Sequence, residues 1–479
     1  MDDAYISFRY ALHLVAGQGL VYNPGQAVLG TTTPLYTVIL AAGSSLLGTA
    51  DLPHLAWILN ALLDAAGVAL MLWLGRKLTG SQTVGLGAAL LWAVAPYSVT
   101  FAVGGLETSL VITLLLAAFA LYLAGRDNWA ALALALGVLT RPDVLIAALL
   151  ILGAMLVRTW GKASGQSSRL TMRLRWAVAP PALIFLATLL PWLLYAALTY
   201  GGPLPHSLAA KTIAYHLPPE AALVRLLQHY ATPFHEHLIF GGRWVVLGLI
   251  LYGALFGIGA LHTVQGNQRA WPLFLYPLFY AAIYAVANPL IFRWYLSPPL
   301  PFYILGIMAG VCALLSPRPG KQRAGGVAIA ITLALASLAN AWSWHPPSPQ
   351  MAWIELEALY QQAALDLQDE LAAGGGTLAA GDIGALGWFT GAPILDLVGL
   401  VSPQAQAYYP LPAQAYVINY AVSSDYVLAE RPEFLVILEV YGRNTLLQDG
   451  RFLAEYQLWH SYPTDIYGSD GMLVYQRTR

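Results

Sequence analysis

The 479-residue chain is 58% hydrophobic and only 10% charged, with a formal net charge of −1. An ordinary globular protein is about 25% charged, so this composition excludes a wholly water-soluble protein and predicts a membrane-embedded body. The sequence has no basic aromatic patch and no zinc-ligand spacing, so we expect no nucleic-acid partner.

Acidic residues are unevenly distributed along the chain. Residues 1–343 hold only 9 of the 24 acidic residues, and residues 344–479 hold the other 15. Such a split indicates two solvents, lipid for the first part and water for the second. We therefore predict a transmembrane domain with external loops over 1–343 and a soluble, extracytoplasmic α/β domain over 344–479.

The chain begins with an acidic pair, Asp2 and Asp3, followed by an amphipathic stretch over residues 4–14. Residues 17–25 are rich in turn-forming glycine, asparagine and proline. The acidic pair has two open interpretations. It is an ordinary solvated acidic start or a cap for the helix that follows, or it is a functional group at the membrane edge, where ionisable residues are costly and often functional.

Long apolar runs predict ten membrane-spanning helices, because a bilayer core needs about 20 apolar residues per helix. Two of these runs flank residues 140–143 and are short enough to be half-helices. Residues 34–48 are apolar but interrupted by Gly43, Ser44 and Ser45, which indicates a juxtamembrane or re-entrant segment or a further span. The ten predicted spans are 55–74, 83–98, 108–124, 129–140, 144–157, 176–199, 243–264, 271–287, 290–315 and 325–343.

Basic residues alternate between the loops. One set of loops holds 12 of the 18 basic residues of the first 343, and the positive-inside rule makes that side cytoplasmic. Ten spans then place both termini and the C-terminal domain outside the cytoplasm. An external N-terminus with no preceding signal leads us to expect that a first helix is missing from this sequence.

The C-terminal part has features of a mixed α/β domain. Residues 353–371 form a predicted helix with Glu and Gln on one side, and glycines 374–376 interrupt the chain after it. The apolar run 434–438 is typical of a buried strand. The domain either binds an acceptor glycan through its aromatic residues or covers the membrane bundle.

Three ionisable residues in the membrane part have structural alternatives to a functional role. Arg141 forms a salt bridge with Asp143 that fixes a helix break, or binds a ligand. Arg293 extends to the interface, or serves a site. Glu107 begins an apolar helix, where the helix dipole favours a carboxylate in any case.

Polar residues elsewhere give weaker signals. Asn60 and Asp64 lie one helical turn apart within a span and are predicted to make buried polar contacts between helices. One loop carries a metal-like cluster, but histidines at this spacing are more often interfacial than ligating. We therefore assign no metal site and no certain cofactor, with a divalent ion as an open alternative. The cluster consists of His229, His235, Glu236 and His237.

Several motifs, taken in chain order, resemble those of C-type (polyprenyl-phosphate-sugar-dependent) membrane glycosyltransferases, in particular the mycobacterial terminal arabinofuranosyltransferase type. The opening stretch from Asp2 to Gly25 is similar to that family's first external loop. The resemblance covers nearly the whole chain and implies a polytopic helical bundle with a soluble α/β domain. The other similar segments are 104–108, 140–143, 205–207 with Lys211, 293–296, 381–388 and 396–400.

The resemblance implies site residues for an inverting transfer of a sugar to an acceptor hydroxyl. Asp2 or Asp3 is the expected base, and the sequence does not separate them. The leaving phosphate needs fixed positive donors, for which the external-face candidates are Arg141, Lys211, Arg293 and His206. The solvated-loop alternative remains open for Lys211. Expected substrate-binding residues are Glu107, Asp143, Tyr5 and Arg9.

The implied partners are a polyprenyl-phosphate-linked sugar donor, the lipid bilayer, and a glycan, lipid or protein acceptor. Two other classes of protein stay open at this point. A lipid or sugar transporter would use the interrupted helices around Arg141 as its broken helices, although the halves show no internal repeat. A non-catalytic component of cell-envelope assembly is the other alternative.

Overall fold

A computed structural model describes residues 1–161, 170–234, 242–315, 321–342, 352–374 and 376–478. The chain is mainly helical, with a small sheet near its C-terminus. Its strands are β1 Leu378–Ala380, β2 Ile394–Asp396, β3 Phe434–Leu438, β4 Tyr456–Tyr462 and β5 Met472–Arg477. Its α-helices are α1 Asp2–Val15, α2 Pro34–Leu47, α3 Leu52–Thr79, α4 Gln82–Ala93, α5 Pro96–Val103, α6 Thr108–Leu123, α7 Asp127–Thr140, α8 Leu145–Gly161, α9 Leu170–Tyr200, α10 His206–Ala214, α11 Ala221–Ala231, α12 Gly242–Gly266, α13 Trp271–Ala287, α14 Arg293–Leu296, α15 Leu300–Leu314, α16 Lys321–Trp342, α17 Ala352–Gly374, α18 Gly384–Thr390, α19 Ser424–Glu430, α20 Glu439–Gly442 and α21 Gly450–Glu455.

Five helices in the described part of the chain are long and apolar enough to cross a membrane, or six when α4 and α5, bent by 53°, count as one span. This confirms the predicted polytopic helical bundle, and the chain is a multi-pass membrane protein. Two of the ten predicted spans were expected to be half-helices, and α7, with 14 residues, agrees with that expectation. Helix α6, with 16 residues, is also shorter than a bilayer crossing needs, so the count of ten exceeds the five or six helices of sufficient length in the described residues. The five helices are Leu52–Thr79, Ala179–Tyr200, Trp244–Gly266, Gln268–Ala287 and Arg293–Leu314.

The predicted interruption near residue 141 is confirmed. Helix α7 ends at Thr140, Arg141 is extended, and Pro142–Val144 forms one turn of 3-10 helix before α8 begins. Proline removes a backbone donor and disfavours helical geometry in the residue before it, so Pro142 accounts for the break. The segment expected to be juxtamembrane or re-entrant forms the short helix α2.

The chain divides into two compact units. Unit 1 comprises Met1–Ala56, Leu193–Pro218 and Pro349–Arg479, and unit 2 comprises Trp57–Trp192 and Pro219–Ser348. Charge and hydropathy placed the domain boundary at 343/344, which remains a prediction about membrane and water. Packing groups the N-terminal segment with the C-terminal sheet instead.

Unit 1 is built on a five-stranded mixed sheet with the order β2-β1-β3-β5-β4. Strand β1 is parallel to both β2 and β3, and Ala379 lies opposite Leu395 on one side and Leu435 on the other. All residues of these three strands are buried, as expected for parallel strands covered on both faces. The predicted α/β domain, its first helix and its strand at 434–438 are confirmed.

Unit 2 contains a close helix crossing between α12 and α15. A Cβ atom at Gly259 would meet the Gly306 carbonyl oxygen, and one at Gly310 would meet the carbonyl oxygen of Leu255. Small residues at such a crossing let two backbones approach each other within a membrane, where dispersion contacts drive helix association. The crossing therefore requires residues without a side chain at these positions.

The polar contacts predicted for helix α3 are confirmed. Asn60 donates a hydrogen bond to the carbonyl of Leu106 at 2.8 Å, and the hydroxyl of Ser98 donates to Asp64 at 2.8 Å. In the predicted metal-like cluster, His229 is buried with its ring 4.7 Å from that of Tyr97. His235, Glu236 and His237 lie outside the described residues.

We expect Gly259→Ala to lower the midpoint of thermal unfolding in detergent, because overpacking at a tight site costs about 1–3 kcal/mol. Gly253→Ala is the matched control on the same helix, since a Cβ atom there meets nothing within 4 Å. Its midpoint should stay unchanged or rise slightly, because alanine favours helix over glycine. Equal midpoints for the two variants would contradict the close crossing.

Candidate functional site

In unit 1, helix α1 presents Asp2 and Arg9 to helix α18. The two residues are seven positions apart, which is two helical turns, so they lie on one face of α1. The Asp2 carboxylate accepts hydrogen bonds from the backbone N–H of Gly384 at 3.1 Å and of Ala385 at 2.7 Å. A carboxylate at this place satisfies the free donors of the first turn and complements the helix dipole.

The guanidinium of Arg9 occupies the other end of α18. Its Nη2 donates to the carbonyl of Ala392 at 2.7 Å, and its Nη1 donates to the carbonyl of Gly387. Its Nε donates to the backbone carbonyl of Tyr22 at 2.8 Å. Arg9 is only 3% exposed and lies 4.7 Å from the centre of the Tyr22 ring. These bonds favour a structural role for Arg9, and its assignment to substrate binding stays a prediction.

The interpretation of the acidic pair as a cap for its own helix is wrong. Asp2 and Asp3 lie within the first turn of α1, and the N-cap position makes no side-chain hydrogen bond. The oxygens of Asp2 serve α18 instead, a partner 382 positions away in the sequence. Asp2 therefore joins two helices. We call the hydrogen bonds that Asp2 and Arg9 make to α18 and its C-terminal end the α1–α18 contact.

Asp3 differs from Asp2 in its surroundings. Its side chain is 33% exposed, and its Oδ2 lies 4.0 Å from the Nζ of Lys211 on helix α10. A third carboxylate, Asp382, belongs to the same neighbourhood and accepts a hydrogen bond of 2.6 Å from the hydroxyl of Tyr360. We call Asp2, Asp3, Asp382 and Lys211 the acidic cluster.

Proton affinity is raised within the acidic cluster. Burial, followed by repulsion from Asp382 and Asp3, raises the pKa of Asp2 to about 8, against the opposing effect of its two backbone hydrogen bonds. Burial also raises the pKa of Asp382, while the hydrogen bond from Tyr360 lowers it. Three neighbouring carboxylates and one ammonium thus favour a state in which a proton is retained.

Two further predicted site residues lie in unit 1. The ring of Tyr5 packs 5.3 Å from that of Phe389 and 6.1 Å from that of Trp388, at the end of α18. His206 begins helix α10, and its backbone N–H donates to the carbonyl of Leu29 at 2.8 Å. Their assigned roles in substrate and phosphate binding stay predictions.

In unit 2, Arg141 lies between two carboxylates. Its Nη2 is 2.5 Å from the Oδ2 of Asp143, and its Nε is 3.8 Å from the Oε1 of Glu107. Its Nη1 donates to the carbonyl of Trp294 at 2.9 Å, and its side chain is only 4% exposed. The predicted salt bridge at the helix break is therefore present. Arg141 also binds the backbone of helix α14 through the carbonyl of Trp294.

Asp143 receives two tyrosine hydroxyls from helix α13 as well as the arginine. Tyr280 donates at 2.9 Å and Tyr284 at 3.2 Å, and their rings stack with centroids 4.5 Å apart. Several hydrogen bonds to a buried carboxylate compensate for its desolvation. We call Glu107, Arg141, Asp143, Tyr280 and Tyr284 the Arg141 cluster.

Arg293 lies next to the residue that Arg141 binds. It begins helix α14, and its guanidinium carbon is 4.9 Å from the centre of the Tyr97 ring. The four predicted phosphate-binding cations thus divide between the units, with Arg141 and Arg293 in unit 2 and Lys211 and His206 in unit 1. Their role in binding phosphate stays a prediction.

The sequence did not assign several residues that these clusters contain. Asp382 stood in a recognised motif without a role, and Tyr360 was only one residue of a predicted helix. Tyr280 and Tyr284 are spaced i, i+4, which places them on one helix face and was a usable signal. No group of three or more His, Cys, Asp or Glu that could hold a metal ion occurs among the residues described.

The motif at 396–400 has a structural explanation. Asp396 is fully buried and accepts hydrogen bonds from the backbone N–H of Val398 at 2.9 Å and of Val401 at 2.8 Å. Gly399 within this turn has a φ of 97°, a conformation that favours glycine. This motif fixes the turn after β2.

Comparison with known proteins gives matches over the whole fold and over parts of the sequence. Two structures of ArnT from Cupriavidus metallidurans match 99% of this chain and 93% of theirs. The structure bound to undecaprenyl phosphate has a TM-score of 0.55 at 13% identity, and the apo structure has 0.54 at 12%. The fold is therefore that of a C-type membrane glycosyltransferase.

Sequence comparison adds two local matches. A terminal β-(1→2)-arabinofuranosyltransferase of Mycobacterium tuberculosis is 36% identical over 120 residues, which are 24% of this chain and 19% of that protein. Residues 350–475 match a domain of unknown function, DUF8728. The predicted resemblance to C-type glycosyltransferases is confirmed.

We expect Arg9→Met to destabilise the protein by about 3 kcal/mol, because it removes the donor to the buried carbonyls of Tyr22 and Ala392. Arg451→Met is the control, since Arg451 makes three side-chain hydrogen bonds to aspartates but is 65% exposed. Exposed ion pairs contribute at most about 1 kcal/mol. Denaturant unfolding monitored by tryptophan fluorescence measures both, and a larger loss for Arg451→Met would contradict the buried contact.

Proposed function

We propose that this protein is an inverting glycosyltransferase that moves a sugar from a polyprenyl-phosphate donor to an acceptor hydroxyl at the extracytoplasmic face of the membrane. The shared fold supports the class of enzyme. The undecaprenyl phosphate in the ArnT structure supports the class of donor, and the name of the mycobacterial relative supports arabinofuranose as the sugar. The carrying observation is the acidic cluster at the start of α1.

The reaction requires a base and a stabilised leaving group. The acceptor oxygen attacks the anomeric carbon, its proton passes to a carboxylate, and the bond from that carbon to the phosphate oxygen breaks. The polyprenyl phosphate departs with the electron pair and gains negative charge, which fixed cations stabilise. Attack opposite the leaving group inverts the anomeric centre.

Asp3 is the base that the geometry favours. Asp2 already uses one lone pair on each oxygen for backbone N–H groups of α18, and its raised pKa leaves it protonated at neutral pH. Asp3 keeps a third of its side chain exposed, so an acceptor hydroxyl can reach it. In this assignment Asp2 positions α18 and Asp3 accepts the proton.

Within unit 2, Arg293 is the residue that we assign to binding the donor phosphate. The nitrogens of Arg141 serve Asp143, Glu107 and the carbonyl of Trp294, so its role is to position the segment that contains Arg293. A guanidinium can bind a phosphate through two parallel hydrogen bonds. Lys211 lies beside the proposed base, where it stabilises the carboxylate of Asp3 before proton transfer.

We expect purified protein in detergent or nanodiscs to transfer arabinofuranose from a synthetic polyprenyl-phosphate donor to an arabinan oligosaccharide, with Asp3→Asn lowering kcat about 10²–10⁴-fold. Asparagine keeps the size of the side chain but accepts no proton. Donor binding, measured by calorimetry, should remain. Asp3→Glu, which keeps a carboxylate, should restore part of the rate.

Asp2→Asn is the comparison that tests the assignment of roles. Asparagine keeps only one of the two oxygens that accept hydrogen bonds from α18, so we expect a lower unfolding midpoint together with lower activity. The assignment would be reversed if Asp2→Asn had a normal unfolding midpoint and no activity while Asp3→Asn remained active. Asp2 would then be the base. No transfer by the wild-type protein with any polyprenyl-phosphate sugar would refute the proposed function.

Arg293→Ala tests the phosphate ligand. Loss of a charge-assisted hydrogen bond costs about 1.5–3 kcal/mol, so we expect KM for the donor to rise about 10–100-fold. Arg293→Lys keeps the charge and should recover part of this loss. Initial rates at varied donor and acceptor concentrations separate the effects, and a rise confined to KM for the acceptor would contradict the assignment.

A further inference from the structure

The turn between helices α6 and α7 in unit 2 is positively charged. Helix α6 ends at Leu123, Gly125 has a φ of 74°, and α7 begins at Asp127 directly after Arg126. A Cβ atom at Gly125 would lie 3.6 Å from the Nη1 of Arg269, so the guanidinium of Arg269 lies beside this turn. Arg126 and Arg269 are both exposed.

A third arginine contacts the same turn from the last turn of α8. The Nη2 of Arg158 donates a hydrogen bond to Asp127, and its guanidinium carbon lies 5.8 Å from the centre of the Tyr122 ring. The phenol of Tyr122 also interacts electrostatically with Asp127 and Arg269. We call Arg126, Asp127, Arg158 and Arg269 the arginine cluster.

The arginine cluster has an excess of positive charge. Asp127 is the single acidic residue of the stretch 108–142, and residues 144–179 and 243–287 contain none. The three guanidinium groups therefore share one carboxylate, and that carboxylate is already paired with Arg158. Two exposed positive charges remain at the turn, and they attract an anion.

Trp129 relates the arginine cluster to the membrane surface. It lies three positions after Arg126, so both residues lie on one face of α7. Its side chain is 59% exposed, and exposed tryptophan is typical of the interface between membrane and water. The positive-inside rule predicts that this side of the membrane is cytoplasmic.

We propose that the arginine cluster binds the headgroup of an anionic phospholipid in the leaflet on this side of the membrane. Arg126 and Arg269 donate to the phosphate oxygens, because a guanidinium matches two oxygens of a phosphate. Arg158 remains paired with Asp127 and connects α8 to the turn. Basic sites between apolar helices are suited to such headgroups. This lipid site uses none of the residues assigned to sugar transfer.

Native mass spectrometry of the purified full chain tests the proposal, since it resolves each bound lipid by its mass. The two probes are phosphatidylglycerol and phosphatidylcholine with the same acyl chains. We expect tighter binding of phosphatidylglycerol, by a margin that falls as ionic strength rises. Arg126→Gln combined with Arg269→Gln should weaken phosphatidylglycerol binding about 30-fold, because each basic residue near an anionic lipid contributes a factor of about five.

Arg76→Gln is the matched control. Arg76 is another exposed arginine, in the last turn of α3 and on the same predicted side of the membrane. This variant should bind phosphatidylglycerol as the wild type does. Arg126→Lys combined with Arg269→Lys keeps both charges and should recover most of the affinity that the glutamine variant loses.

Three results would overturn the proposal. They are equal binding of the two lipids by the wild type, unchanged phosphatidylglycerol binding in the double glutamine variant, and an equal loss in Arg76→Gln. Displacement of the lipid by millimolar inorganic phosphate would assign the site to free phosphate and would overturn the lipid assignment. The measurement needs no transfer activity, so it can succeed where the proposed function fails.

Discussion

The start of helix α1 is fixed by two of its side chains, which hydrogen-bond to the two ends of one short helix. Asp2 accepts hydrogen bonds from the first N–H groups of α18, and Arg9 donates to carbonyls at its other end. The two contacts satisfy backbone N–H groups at the start of α18 and carbonyls at its end. The acidic cluster depends on this arrangement, because it sets where Asp3 lies relative to Asp382 and Lys211.

Unit 2 also contains a buried ionisable side chain whose polar groups must be satisfied. Arg141 interrupts an apolar region, where an isolated guanidinium would be costly, and its neighbours supply the two carboxylates and one carbonyl that it needs. The bond to Trp294 links the helix break to the segment that carries Arg293. A charge required for structure thus positions one proposed for function.

Sequence reasoning predicted the features that follow from local pattern. The helix break at Pro142 follows from the chemistry of proline, and the strand at 434–438 follows from its apolar run. Hydropathy predicted the short helix α7 before the break, but it also counted α6 as a span, because an apolar helix of 16 residues passes a composition test without the length of a bilayer crossing. The role of Asp2 was not predictable, since its partners at 384 and 385 are distant in sequence and contribute only backbone groups.

The α1–α18 contact also has a consequence for how such proteins diverge. Asp2 and Arg9 contact only the main chain of α18, so they constrain residues that must be small and leave the others free to vary. A Cβ atom at Gly384 would meet the backbone and carboxylate of Asp2, and one at Gly387 would meet the hydroxyl of Tyr22. Trp388 and Phe389, on the same helix, are half-buried and pack against the ring of Tyr5 instead. A side chain at either glycine would therefore disturb the fit of α18 to the N-terminal segment, whereas a change at an aromatic residue would alter its packing against Tyr5.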